Sequence, residues 1–384
     1  MPTFTLTDHA HNVWVESFNT RGNHQGAPWS VAKRTLRGGR RDGVDLIEVD
    51  NGALAFSIVP TRGMGLWKGQ FQSLALGWDS PVRDGPVNPS FINLLNWGGL
   101  GWLEGFDELL VRCGLENNGA PYTDGQTTYN LHGKIANIPA HFVAVQTVEG
   151  PSPTITIEGH VDESKLFSTQ LRMVTTITTA PGANWLRVRD EFQNPSDLPQ
   201  EMQVLYHWNF GPPFLDAGAR FAAPSKTIVP RNPRAAEGIG HADIYAPPEP
   251  GFAEQVYFHE LLGEQDTRQT LAMVRDRAGE KAVVLRFNLV QLPMFTLWKN
   301  TGGLKSGYVT GLEPGTNYPN PKPFEKAQGR VVTLPPGGKH VTETTLEVLN
   351  SRDDVSRVEA EIAALQKQAA PHIHPAPIAP FTPP

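Results

Sequence analysis

The feature that most constrains this chain is an alternation of apolar and polar side chains that restarts roughly every ten residues. It is clearest from Asp45 to Trp78, DLIEVDNGALAFSIVPTRGMGLWKGQFQSLALGW, where each short run ends at Asn-Gly, Pro-Thr-Arg-Gly or Lys-Gly. A period of two buries one face of a strand, and the Gly and Pro signals reverse the chain. Such runs therefore predict hairpin-connected antiparallel strands. The same texture returns in HFVAVQTVEG, PTITIEGHV, TQLRMVTTITTA, NWLRVRDEFQN and EMQVLYHWNF, then in EQVYFHEL, TLAMVRDR, KAVVLRFNL and FTLWKN, and last in SGYVTGLEP, GRVVTLPP and HVTETTLEVL. The interleaved helices that a parallel sheet needs are missing from this pattern. The prediction is an all-β chain, a large antiparallel β-sandwich, and not a Rossmann or α/β-barrel fold. The 37 glycines and 34 prolines are spread along the chain as turn punctuation, in keeping with many short strands.

Two segments break the pattern. Ser351 can cap a helix whose first turn holds Asp353 and Asp354 and whose one face carries Val355, Val358, Ile362 and Leu365. After Ala370, PHIHPAPIAPFTPP has too many prolines for helix and reads as extended, polyproline-like chain. Residues 1–350 are thus read as one sandwich domain and 351–370 as a helix packed on it. Residues 371–384 are read as a tail, or a clasp on a neighbour as in a homodimer. His372 and His374 in that tail are not taken as a metal site.

Charge and composition narrow the partners. The chain has 33 basic and 39 acidic residues, a net charge of -6, and no Lys/Arg run that would match a phosphate backbone, so nucleic acid is not expected. No stretch approaches the ~20 apolar residues that cross a bilayer, so no membrane partner is expected either. Cys113 is the single cysteine, and the opening MPTFTLTDHAHNVW lacks the basic flank and apolar core of a secretory signal. The expected compartment is the reducing cytoplasm.

Three side chains stand out as candidates for chemistry. His132 lies in YNLHGKIANIPA, where Gly133 would let a ligand approach the imidazole. His207 lies in QVLYHWNFGPP, where Tyr206, Trp208 and Phe210 offer an aromatic wall beside a titratable ring. Glu313 lies in YVTGLEPGTNYPN, a lone carboxylate on an apolar strand, and a buried carboxylate needs a partner. The purely structural alternative for Glu313 is an ion pair with Lys299 or Arg62.

The order of LHG, then a strand-borne His followed by aromatics and Asn, then LEP, resembles the aldose 1-epimerase, or galactose mutarotase-like, superfamily. The text GLGWLEGFDELLVRCGLENNGAP followed by LHGKIANIPA resembles its uncharacterised bacterial DUF4432 branch, and the similarity spans most of residues 40–350. The second motif reads His207, Trp208, Asn209, Phe210 where mutarotases usually read His-x-Tyr-Phe-Asn. The resemblance implies a galactose mutarotase-like supersandwich and a monosaccharide substrate. It also implies that His132 binds and polarises the sugar, that His207 is the acid and that Glu313 is the base. No cofactor or metal is implied.

These residue types suit the chemistry. Opening a cyclic hemiacetal removes the anomeric hydroxyl proton while the ring oxygen gains one, which a carboxylate and an imidazolium do together. Arg62, Lys299, Asp79 and Asn118 are read as turn residues facing a ligand, with Trp208 and Asn209 added from the second motif. Two cations, Arg62 and Lys299, would also suit an acidic sugar. Trp67, Trp78, Trp97, Trp102, Trp208 and Trp298 offer indole faces for sugar C–H surfaces, although core filling accounts for them equally well. Two rivals keep the fold: a non-catalytic carbohydrate-binding protein, and a keto-sugar isomerase using His132, His207 and Glu313 as metal ligands.

Overall fold

The computed structural model describes residues 2–383, and it is built of antiparallel strands as the alternation predicts. The chain divides into two compact units. One comprises Met1–Leu76, Val82–Val204 and Val332–Glu343, the other Gly77–Pro81, Leu205–Val331 and Thr344–Pro384.

In the first unit one ladder runs, in spatial order, Trp185–Gln193, Gln170–Thr179, Thr154–Ser164, Phe142–Val148, Thr3–Asp8 and Val13–Trp14. A second ladder runs Leu110–Leu115, Gly65–Phe71, Leu54–Val59, Asp45–Asp50, Ala27–Thr35 and Phe18–His24. The alternation is nearly perfect in Thr154–Ser164, where every second residue is buried. Leu110–Leu115 is buried at all six positions, Arg112 included. That guanidinium reaches the other ladder, where it holds Asp190 through two bonds (2.6 and 3.0 Å) and Thr175 Oγ1 (2.6 Å), so a buried pair ties the layers together.

The second unit is also two-layered. One ladder runs Arg220–Ala222, Gln269–Arg275, Ala282–Asn288 and then the part of Lys339–Leu349 from Thr344 onward. The other runs His372–Ile373, Ser225–Pro230, Gln255–Leu261, Met294–Thr301, Tyr308–Gly315 and then the part of Gln200–Phe210 from Leu205 onward. Phe295 joins the layers, its ring 5.7 Å from Phe221 and 5.9 Å from Phe287. The predicted helix forms as Arg352–Gln366, with the Ser351 side chain accepting from the Asp354 amide. Its Val355, Val358 and Ile362 pack on Leu271, Met273, Ala282, Val284 and Leu349, the face of the first ladder turned away from Phe295. Short helices also occur at Pro233–Ala236 and Lys322–Ala327, where sequence patterning had signalled none.

The proline-rich tail is tied to its own unit. His372–Ile373 pairs in parallel with Thr227 and Ile228. Phe381 is buried against Tyr318 in a cluster with Val229, Val256 and Phe258, and Ile378 packs beside it. Asn320 Nδ2 and Arg330 Nη2 donate to the carbonyls of Phe381 and Pro380. Among the described residues, no helix is long and apolar enough to cross a membrane.

Candidate active site

The site is set by strand register in the second unit. Gln200–Phe210 and Tyr308–Gly315 pair with Leu205 opposite Gly315 and Trp208 opposite Leu312, which puts His207 directly across from Glu313. Met294–Thr301 pairs on the other side with Thr296 opposite Glu313 and Trp298 opposite Gly311. Side chains directly opposite each other share a face of the sheet. His207, Asn209, Gly311, Glu313, Thr296 and Trp298 therefore stand together on the face turned away from Phe295. Phe258 and Val256 continue the same rows.

On that face His207 Nε2 lies 3.2 Å from Glu313 Oε1, and both side chains are almost fully buried. The other imidazole nitrogen, Nδ1, is 2.7 Å from Asn209 Oδ1, while Asn209 Nδ2 donates to the His207 carbonyl. That second bond fixes the amide's orientation, so Oδ1 can only accept and Nδ1 must carry a proton. Nε2 is left to exchange its proton with the carboxylate. Burial pushes the Glu313 carboxyl well above the usual carboxylate range, the charge of Glu254 adds to the rise, and Arg231 opposes it. Gly311 makes the approach feasible, because a Cβ there would sit 2.5 Å from Glu313 Oε1 and 2.9 Å from His207 Cε1.

Trp298 is the aromatic neighbour of the pair. Its half-buried ring meets the His207 imidazole edge-on, with centroids 5.3 Å apart. Its Nε1 donates to Glu254 Oε2 at 2.6 Å, and Arg231 Nη2 holds the other oxygen of Glu254 at 2.6 Å. The aromatic wall expected from Tyr206, Trp208 and Phe210 is not there. They alternate with His207 and are fully buried on the opposite face, so Trp208 is a core residue.

Several other expected ligand contacts are engaged elsewhere. Lys299 pairs with Thr310, three positions from Thr296, which turns it away from Glu313 into the sheet interior. Its Nζ donates to the carbonyls of His241, Ala242 and Ile244, and burial lowers its pKa to about 8. Lys299 is also within a strand, not at a turn. Arg62, in the first unit, is buried with Nε on Glu108 Oε1 (2.6 Å), Nη1 on Asn137 Oδ1 (2.8 Å) and the Val87 carbonyl, and Nη2 on the Gly105 carbonyl. Neither cation is the structural partner that the sequence offered for Glu313. Asp79 is exposed in the Gly77–Pro81 segment of the second unit.

His132 and Asn118 belong to the first unit. His132 adopts a left-handed backbone (φ 61°), held by its carbonyl on the Gly114 amide and its amide on the Gly119 carbonyl. Gly133 follows at φ 71°, where a Cβ would lie 2.2 Å from the Asn117 carbonyl, so the adjoining loop packs tightly on it. His132 Nδ1 donates to the carbonyl of buried Asn118 at 2.8 Å, which fixes its tautomer, and Trp102 packs against the ring at 4.7 Å. Asn118 thus serves His132 through its backbone.

Of the expected site residues, His207, Asn209 and Glu313 come together on one face. Thr296, Gly311 and Glu254 join them, and sequence reasoning had singled out none of these three. The pairing register reveals Thr296 and Gly311, and the hydrogen bond from Trp298 Nε1 reveals Glu254. Among the described residues, no group of three or more His, Cys, Asp or Glu side chains is placed to hold a metal ion.

Residues 41–348 match the family model described as a domain of unknown function, DUF4432. A protein from Klebsiella pneumoniae subsp. pneumoniae MGH 78578, whose crystal structure is described as a candidate aldose 1-epimerase, is 37% identical with a TM-score of 0.95, covering 98% of this chain and 99% of that one. A galactose mutarotase-like protein from Clostridium acetobutylicum matches with a TM-score of 0.55 at 14% identity, covering 87% of this chain and 99% of its own. A candidate aldose 1-epimerase from Escherichia coli K12 matches with a TM-score of 0.52 at 12% identity, covering 80% and 99% respectively. At such low identity the last two bear on the fold alone. No protein of curated function matches the sequence.

Proposed function

Since the chain belongs to the DUF4432 family, within the galactose mutarotase-like superfamily, we propose that it is a sugar isomerase of the aldose 1-epimerase kind, acting on a monosaccharide through Glu313 and His207. The observation that carries this reading is the 3.2 Å approach of His207 Nε2 to Glu313 Oε1 on a buried face. The anomeric hydroxyl and the ring oxygen of a pyranose are bonded to the same carbon, so the base and the acid that address them must be close neighbours. A carboxylate and an imidazole on directly opposite strand positions satisfy that requirement.

In the proposed reaction Glu313 takes the proton of the anomeric hydroxyl and His207 gives its Nε2 proton to the ring oxygen. The ring opens to the aldehyde. After rotation about the C1–C2 bond the carbonyl is attacked from its other face, and the two protons return. Asn209 supports the step by holding Nδ1–H, which keeps Nε2 as the exchanging nitrogen. With Arg62 and Lys299 bound to protein groups, the basis for an acidic sugar is weak, and a neutral pyranose is the preferred substrate class.

The test is anomer exchange followed by NMR over a panel of neutral and acidic sugars, with Glu313→Gln beside the parent. A positioned base contributes about 10²–10⁴-fold, so the variant should fall close to the spontaneous rate. Activity should also be lost as pH falls through the Glu313 pKa, since the protonated carboxyl cannot act as base. Because burial raises that pKa, the acid limb should lie above the ordinary carboxylate range. Equal rates in the two proteins would remove the proposed base, and saturable sugar binding without exchange would leave only a binding protein.

A further inference from the structure

Resting on the sugar-isomerase reading above, we propose that the Met294–Thr301 strand supplies two further sugar contacts, with Thr296 hydrogen-bonding a sugar hydroxyl and Trp298 stacking on the ring face. Both point to the face that carries the His207–Glu313 pair, because Thr296 is opposite Glu313 and Trp298 is opposite Gly311.

Thr296 is 1% exposed, and its Oγ1 is buried with no protein partner among the described residues. Glu313 Oε1, on the neighbouring strand, is likewise buried and makes no well-aligned hydrogen bond, although His207 Nε2 stands 3.2 Å away. Buried polar atoms are nearly always hydrogen-bonded, so two unsatisfied oxygens on directly opposed residues point to a group that both would meet. A hydroxyl both donates and accepts, and can satisfy the threonine and the carboxylate together. On the other side of Thr296 the row continues to Phe258, which offers no polar alternative.

Trp298 complements this contact. Its one donor, Nε1–H, is already bonded to Glu254, and Arg231 fixes Glu254 in turn. What Trp298 can present to a ligand is therefore its ring, held in one orientation. An anchored indole beside an acid and base matches the apolar C–H face of a pyranose. The class of ligand assigned is a neutral monosaccharide with a hydroxyl adjacent to the reacting centre.

The experiment measures exchange kinetics and sugar affinity, the latter by equilibrium titration, for the parent, Thr296→Val, Thr296→Ser, Trp298→Ala and Glu313→Gln. Thr301→Val is the control, since Thr301 is equally buried with an unpartnered Oγ1 but projects from the opposite face. Thr296→Val is expected to raise KM roughly tenfold with little change in kcat, the effect of one lost hydrogen bond to the ligand. Thr296→Ser should restore most of that affinity, Trp298→Ala should raise KM by about tenfold or more, and Thr301→Val should leave both parameters alone. If Glu313→Gln abolishes exchange while Thr296→Val and Trp298→Ala keep the parental KM, the contacts are wrong and the isomerase reading stands. If the parent binds sugar without exchange, the isomerase reading falls and the contacts are judged by the dissociation constants. A parent that binds no sugar in the panel overturns both.

Discussion

At the scale of single residues, the site depends on what is missing at position 311 as much as on what is present at 207 and 313. Gly311→Ala would place a methyl group 2.5 Å from Glu313 Oε1. Overpacking of this kind costs about 1–3 kcal/mol, and displacing a reacting group by about an ångström can cost 10²-fold in rate. The expected outcome is modest destabilisation in urea titration together with a fall in exchange of tenfold or more. An unchanged rate would show that the carboxyl position is not critical. The same scale explains what could be read from the text. His207 and Glu313 announce themselves by their motifs. Arg62 does not reveal its engagement, because Glu108 and Asn137 are 46 and 75 positions away. Thr296 is silent for the same reason, an ordinary strand threonine until its partner across the ladder is known.

At the scale of elements, strands with one buried face were legible wherever burial alternates, as in Thr154–Ser164. Leu110–Leu115 and Met294–Thr301 gave less away. The former is buried on both faces, which erases the alternation. The latter has its phase visible in sequence, but which phase faces the carboxylate depends on pairing with Tyr308–Gly315. Lys299 and Trp298 therefore look equally eligible as text, yet only Trp298 shares the face of Glu313. The Arg352–Gln366 helix was legible because capping and amphipathic spacing are local signals. Its Ser351 cap allows a clean test, with Ser351→Ala expected to lower stability by about 1 kcal/mol in urea titration while sugar exchange is unaffected. A loss of exchange would mean that this helix influences the site through the ladder beneath it.

At the scale of the whole molecule, the tail is where composition alone was least informative. Prolines exclude helix but do not say where an extended chain lies, and Ile378 and Phe381 join a cluster to which Trp298 also belongs. Phe381→Ala is expected to release the last residues locally and leave the sandwich intact. Hydrogen exchange read by mass spectrometry should then show residues 377–383 losing protection while Ser225–Pro230 keeps it, and uniform loss across the second unit would contradict local docking.

The register between Met294–Thr301 and Tyr308–Gly315 has a consequence for how relatives of this chain can diverge. Residues 302–307 can lengthen or shorten while the ladder on either side holds its phase. A one-residue insertion or deletion inside either strand would instead exchange the two faces, bringing a lysine beside the carboxylate and burying an indole in the core. Length variation among related sequences should therefore cluster in that turn and stop abruptly at its edges.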